Sequence, residues 1–165
     1  MEREFPKAPI VGVGAVVLDG NRVLLVRRGR EPLKGEWSLP GGALELGETL
    51  HSGIRREIRE ETGIEVKVLA VIEVLDKIVR ALPAAADEDS RSPDENIVRV
   101  RYHYVLIDFL CEVTGGRLMP DSDADDARWV AHEELNSHSI YRLDPITAAV
   151  IEKAFRMARS FNPAS

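Results

Sequence analysis

The segment Trp37-Ser38-Leu39 runs into Pro40-Gly41-Gly42, and Thr49 then heads a helical pattern that Gly63 closes. Proline fixes φ and lacks an amide donor, and glycine lacks a Cβ, so the chain must bend at this point and its backbone can approach a neighbour closely. From Thr49 to Thr62, Leu50, Ile54 and Ile58 recur at four-residue spacing and form one apolar stripe. Thr49 offers an N-cap oxygen, and Gly63 suits the left-handed exit from the helix. The order extended segment, loop, helix is therefore dictated locally, and the helix must bury its stripe on a sheet. Gly53 lowers helix propensity by up to about 1 kcal/mol relative to alanine. It predicts a close contact with a neighbouring element.

The rest of that helix is charged. Glu57, Glu60 and Glu61 stand at i, i+3 and i+4, so their side chains share a face. Ionised carboxylates within one turn repel and have raised pKa values unless a counter-charge sits among them. Hard divalent cations take oxygen ligands and leave positions for water and phosphate, so Mg²⁺ or Mn²⁺ suits this spacing. The run "RREIREE" also has a plainer account, a solvated face laced with Arg–Glu pairs.

Along the chain, β-branched residues flank Asp19-Gly20-Asn21, which predicts a hairpin of strands at about 10–18 and 22–28. "IEVKVLAVIEVLDKIV" reads as one or two strands and "VRVRYHYVLIDFLCEV" as a long one. Between them, Arg80 to Asn96 is polar and aperiodic, an exposed loop that could also serve as a lid. "TGGRLMPDSDADDARWV" gives a turn, an acidic loop and a short strand ending at Trp129-Val130. A C-terminal helix at about 144–160 opens on Asp144-Pro145 and is expected to bury Ile146, Val150, Ala154 and Met157. The class is α/β, a sheet sandwiched between helices, in a single domain over residues 1–165 without repeats or linkers. The topology is not fixed by this reading.

A net charge of −6 argues against a nucleic-acid polymer or an anionic membrane as partner, since both call for a basic face. The N-terminal apolar run "APIVGVGAVVL" is too short for a membrane span and lacks the flanks of a signal peptide, so it reads as a core strand. Cys111 has no partner for an intrachain disulfide and reads as a buried apolar residue, which fits a cytoplasmic protein.

Gly42, Glu48, Arg56-Glu57-Ile58, Glu60-Glu61 and Gly63-Ile64 together meet every defining position of the pattern Gx5Ex7REUxEExGU, in which U is aliphatic. The chain here resembles the Nudix hydrolase family. "EWSLPGG" and "DARWVAHEEL" extend the resemblance, which covers about Val11 to Ile151. It implies a mixed sheet between helices, a loop-helix-loop signature, and hydrolysis of nucleoside diphosphates linked to another group. On this resemblance Glu57, Glu60, Glu61 and the Gly41 carbonyl are the ligands of Mg²⁺ or Mn²⁺, while Gly42, Glu48 and Arg56 support the site. The general base is either Glu57 or an acid of the later loop, where Asp121, Asp123, Asp125 and Asp126 cluster; Asp126 is preferred there, then Asp125.

Arg27, Arg28 and Lys34 are candidate phosphate contacts, although neighbouring residues of a regular strand face opposite ways. Trp37 could stack on a base or pack the core, and "YHYV" has the same ambiguity around Tyr102, His103 and Tyr104. His51, His132 and His138 lack metal-ligand spacing. The end of the chain resembles the short ADP-ribose pyrophosphatase-like branch, which would release AMP and ribose 5-phosphate. Rivals are a MutT-like nucleoside triphosphate pyrophosphohydrolase acting on oxidised nucleotides, and a non-catalytic module that senses nucleotide sugars. Relatives are often homodimers, so a homodimer is a possible assembly.

Overall fold

The computed structural model describes residues 4–29, 34–81, 99–119, 124–136 and 139–161. Its strands are β1 (Ile10–Asp19), β2 (Arg22–Arg28), β3 (Trp37–Ser38), β4 (Gly41–Ala43), β5 (Ile64–Arg80), β6 (Val100–Gly116) and β7 (Ala124–Ala131). The helices are α1 (Leu50–Thr62) and α2 (Pro145–Phe161), with a 3-10 turn at His132–Glu134. One mixed sheet has the order β3-β2-β1-β6-β5, with β4 added to β1 and β7 to β2. β1 and β6 run parallel, and the other pairings are antiparallel.

The expected hairpin forms: Leu18 pairs with Val23, Asp19 with Arg22, and Gly20 turns with φ +60°. β1 and β2 separate beyond it, and the three-residue β4 lies against β1, pairing Gly14 with Gly41 and Val13 with Gly42. α1 is capped as its sequence requires. Thr49 Oγ1 accepts from the Ser52 amide, and Gly63, at φ +70°, donates its N–H to Arg59 O. At Gly53 a side chain would press on Leu44 Cδ1 at 2.6 Å, which explains a helix-weakening residue there.

Strand alternation sends side chains to two cores. Val13, Ala15, Val17, Leu24, Phe109 and Cys111 pack with Ile54 and Ile58 of α1. Val16, Val23, Leu25, Leu110 and Val130 pack with Val150, Ile151, Ala154 and Phe155 of α2. Each aliphatic side chain removed from water in this way contributes about 1.5–3 kcal/mol. Cys111 is fully buried, and desolvation pushes its thiol up to about 12.

Two expectations need correction. Ile146 is exposed: Pro145 and Ile146 at the start of α2 are open to solvent, and the buried face is Val150, Ile151, Ala154 and Phe155, with Met157 at its margin. The segment from Ile64, expected as one or two strands, is one, and its extra residues Leu69 and Ile72 absorb the irregular apolar pattern. β7 begins inside the acidic run, so Asp125 and Asp126 lie on a strand, because pairing with β2 overrides weak strand propensity. Of the expected 80–96 loop, Arg80 ends β5, and residues 82–96 lie outside the described residues. Among the described residues no helix is long and apolar enough to cross a membrane.

Candidate active site

The Pro-Gly-Gly bend and α1 meet through hydrogen bonds that only bare backbone permits. The Gly41 amide donates to Glu61 Oε2 at 2.9 Å. A Cβ at Gly42 would overlap the Glu57 carboxylate, and one at Gly41, whose φ is +151°, would strike the Val13 carbonyl. Both glycines are therefore required by close approach. The carbonyl expected to be a ligand belongs to a residue fixed on one side by β1 and on the other by Glu61.

Arg56 organises the remaining acids. Its Nε donates to Glu48 Oε1 at 2.7 Å and one Nη to Glu48 Oε2 at 2.9 Å, a two-pronged fit of guanidinium to carboxylate. The same Nη reaches the Ala43 carbonyl at 3.3 Å. The other Nη donates to Glu57 Oε1 at 2.9 Å and Glu60 Oε2 at 3.2 Å. Hydrogen bonding to Arg56 holds Glu48 at a pKa of about 2, and Glu48 in turn raises that of Arg56. Glu48 Oε2 also accepts from the Glu45 amide, which closes the loop ahead of the helix.

Among the described residues no three acidic, histidine or cysteine side chains stand in a metal-holding group. Arg56 takes the cation's place between Glu57 and Glu60, and Glu61 turns to the Gly41 amide. The donor set nevertheless fits a hard divalent ion. It offers carboxylate oxygens on adjacent faces of one helix, a backbone carbonyl held beside them, and a glycine that leaves room for Glu57.

Residues 8–153 match the NUDIX domain family. The chain belongs to the Nudix family. An ADP-ribose pyrophosphatase of Methanocaldococcus jannaschii is 35% identical over 121 residues, which are 73% of this chain and 61% of that protein. A MutT-like protein of Streptomyces ambofaciens is 30% identical over 141 residues, 82% of this chain and 75% of that one. The chain thus spans about three fifths to three quarters of these two relatives. Among solved structures, a MutT NUDIX hydrolase from Burkholderia pseudomallei superposes with a TM-score of 0.65 at 25% identity, covering 89% of this chain and 98% of that one. The NUDIX domain of Shewanella oneidensis NrtR, complexed with ADP ribose, gives 0.64 at 20% identity over 93% and 90% of the two chains, a likeness of fold alone. Nudix hydrolases generally use divalent metal ions.

Among the other candidate residues of this Nudix chain, Arg27, Trp37 and Asp126 lie on the sheet's opposite face. Val130 packs under α2 and Trp129 toward α1, so by alternation Asp126 and Arg128 face the α2 side. Asp126 accepts from Arg128 Nε at 3.0 Å and from an Arg128 Nη at 2.9 Å, and its cross-strand partner is Arg27. Trp37, also paired with Arg27, packs against the core edge-on to Tyr141 at 5.1 Å, with Arg128 over its ring. The register slips opposite Arg27 and Arg28, where β7 carries Asp125 as an extra residue between their partners Asp126 and Ala124. The Nε atoms of both arginines are buried without a hydrogen-bond partner among the described residues.

Lys34 is exposed in the turn between β2 and β3. Tyr102 and Tyr104 stack at 6.4 Å. Of the histidines, His51 meets Phe109 edge-on, His132 pairs with Glu152 at 2.6 Å, and His138 lies outside the described residues, as do Asp121 and Asp123. The sequence reading passed over Asp108, the one acid inside the apolar run "VLIDFLC". That position was its signal, since an acid at the centre of a buried strand needs a reason.

Proposed function

We propose that this Nudix chain is a divalent-metal-dependent hydrolase of the pyrophosphate linkage in nucleoside diphosphate derivatives. ADP-ribose is the favoured substrate, cleaved to AMP and ribose 5-phosphate. The observation that carries this is the intact constellation of Gly41, Gly42, Glu57, Glu60 and Glu61 around Arg56, with Glu61 bonded to Gly41 and Glu57 seated over Gly42. The substrate choice follows the relative named as an ADP-ribose pyrophosphatase.

Glu57, Glu60, Glu61 and the Gly41 carbonyl would hold Mg²⁺ or Mn²⁺. Its contribution when bound is to offset phosphate charge and acidify a coordinated water. Arg56 fixes the rotamers of Glu57 and Glu60 and can release them to a stronger cation while keeping its grip on Glu48. Arg27 and Arg28 have buried Nε donors without partners among the described residues, which suits them to phosphate oxygens. Of the two candidate bases, Glu57 lies over the signature glycines beside the other expected ligands, whereas Asp126 is held by two hydrogen bonds from Arg128. We therefore place proton abstraction on Glu57.

A second reading, a nucleoside triphosphate pyrophosphohydrolase, draws on 49% identity over 63 residues to a Mycobacterium tuberculosis protein named a putative 8-oxo-dGTP diphosphatase. That stretch is 38% of this chain. Incubation with ADP-ribose, nucleotide sugars and oxidised nucleoside triphosphates, each with Mg²⁺ and Mn²⁺, separates the two readings by product. AMP with ribose 5-phosphate is expected, pyrophosphate release would favour the triphosphate reading, and no metal-dependent cleavage would refute both.

A further inference from the structure

Thr62 and Asp108 are the buried polar side chains among the described residues. Thr62 is satisfied, its hydroxyl donating to Ile58 O at 2.6 Å and accepting from the Ile64 amide at 3.2 Å. Asp108, 9% exposed, is not: among the described residues nothing hydrogen-bonds to its carboxyl. The groups facing it are Glu73, its cross-strand neighbour on β5, and Asp144, ahead of α2. The nearby cations are engaged elsewhere, Lys153 with Glu73 at 2.7 Å and Lys77 toward Asp144. Burial first, and then Asp144 and Glu73, push the Asp108 carboxyl up to about 6.

Space has been left for this acid. Any side chain at Gly14 would overlap Asp108 Oδ1. Gly14 also pairs with Asp108 on one side and Gly41 on the other. Asp108 therefore stands two strand spacings, roughly 10 Å, from the backbone that carries the expected ligand carbonyl. That is comparable with the reach from a nucleotide's phosphate to the edge of its base. Alternation with Leu110 places Asp108 on the α2 side, the face shared by Arg27 and Trp37. A buried acid without a hydrogen-bonding partner among the described residues lacks its counterpart.

We propose that Asp108 reads the nucleobase of the substrate: neutral, it donates to N1 and accepts from the N6 amine of adenine; ionised, it accepts from both N1–H and the N2 amine of guanine. The two purines present opposite patterns on that edge, acceptor beside donor against donor beside donor, so the proton on one carboxyl decides which is matched. Base preference then changes with pH near the titration of Asp108. The proposal rests on the hydrolysis proposed above.

The test compares kcat/KM for ADP-ribose and GDP-ribose with Mg²⁺ from pH 5 to pH 8. The sugar, the phosphates and their pH dependence are common to both and cancel in the ratio. In the wild type the adenine-over-guanine ratio should fall at least tenfold from pH 5 to pH 8, mainly through KM. Asp108→Asn carries an amide that mimics the neutral acid, so its ratio should stay high and flat. Asp108→Ser should lose the preference at every pH, its ratio falling toward one, and it carries the comparison if the asparagine variant does not fold. Hydrolysis with a wild-type ratio and slope in both variants would overturn the role of Asp108 and leave the proposed activity standing. Absence of cleavage in the wild type would overturn both.

Discussion

Arg56 grips Glu48 through two parallel hydrogen bonds, 2.7 and 2.9 Å long, and thereby ties the middle of α1 to the loop that precedes it. Lysine offers a point charge and cannot reproduce that fork. Arg56→Lys is expected to lower turnover on the order of a hundredfold, since Glu57 and Glu60 lose their positioning group, with metal affinity reduced as well. Steady-state kinetics against metal concentration measure both.

Glu48 supplies the pH signature of that clamp. Its folded pKa of about 2 lies below the ordinary value of 4.5. Its stabilisation is therefore complete above about pH 4.5 and is lost as pH falls through the folded value. Glu48→Gln should be less stable than the wild type at pH 7, and the gap should close between pH 4.5 and pH 2. Denaturant midpoints across that range would show it; a gap independent of pH would contradict the ion pair.

Glu61→Gln keeps an oxygen able to accept from the Gly41 amide and loses only charge. Turnover should fall on the order of 10²-fold or more while the thermal midpoint barely moves, because a hard cation bound through oxygen depends on anionic ligands. Near-normal activity, or unaltered Mn²⁺ binding by calorimetry, would remove Glu61 from the ligand set.

At Gly42 even a methyl group displaces Glu57. Gly42→Ala is expected to weaken metal binding and cut the rate strongly, with the fold retained because the obstructing atom is the end of a side chain. Comparable loss of stability and activity would instead mark Gly42 as purely a folding requirement.

The raised pKa of Asp108 makes its charge a destabilising feature. The folded state holds the proton more tightly than the unfolded chain, so stability falls as pH rises from about 4 to about 6 and stays lower above that. A rise from 3.8 to about 6 corresponds to about 3 kcal/mol. Asp108→Asn should therefore stabilise the protein at pH 8 by up to that amount, with the gain gone at pH 4. Chemical denaturation at the two pH values measures it.

Much of this arrangement was legible because it is local. Thr49, Ser52 and Gly63 cap α1 within a few residues of where their chemistry acts, and the spacing from Gly42 to Ile64 fixes loop and helix together. What the sequence hid depends on partners far along the chain. The side of the sheet taken by Asp126 follows from β7 pairing with β2 about a hundred residues away, and the extra residue Asp125 opposite Arg27 and Arg28 exists only in that pairing. Spacing brought Glu57, Glu60 and Glu61 together but did not reveal that Arg56 occupies the ground between Glu57 and Glu60. Asp108 gained meaning only when Gly14 was found beside it.

The short β4 has a mechanical consequence. Because Gly41 through Ala43 are stitched to Gly12 through Gly14, the oxygen that would face a metal cannot drift unless the edge of β1 opens as well. Surface segments at either end of the molecule can lengthen or change composition to suit new substrates, while the point at which phosphorus would be attacked keeps its coordinates.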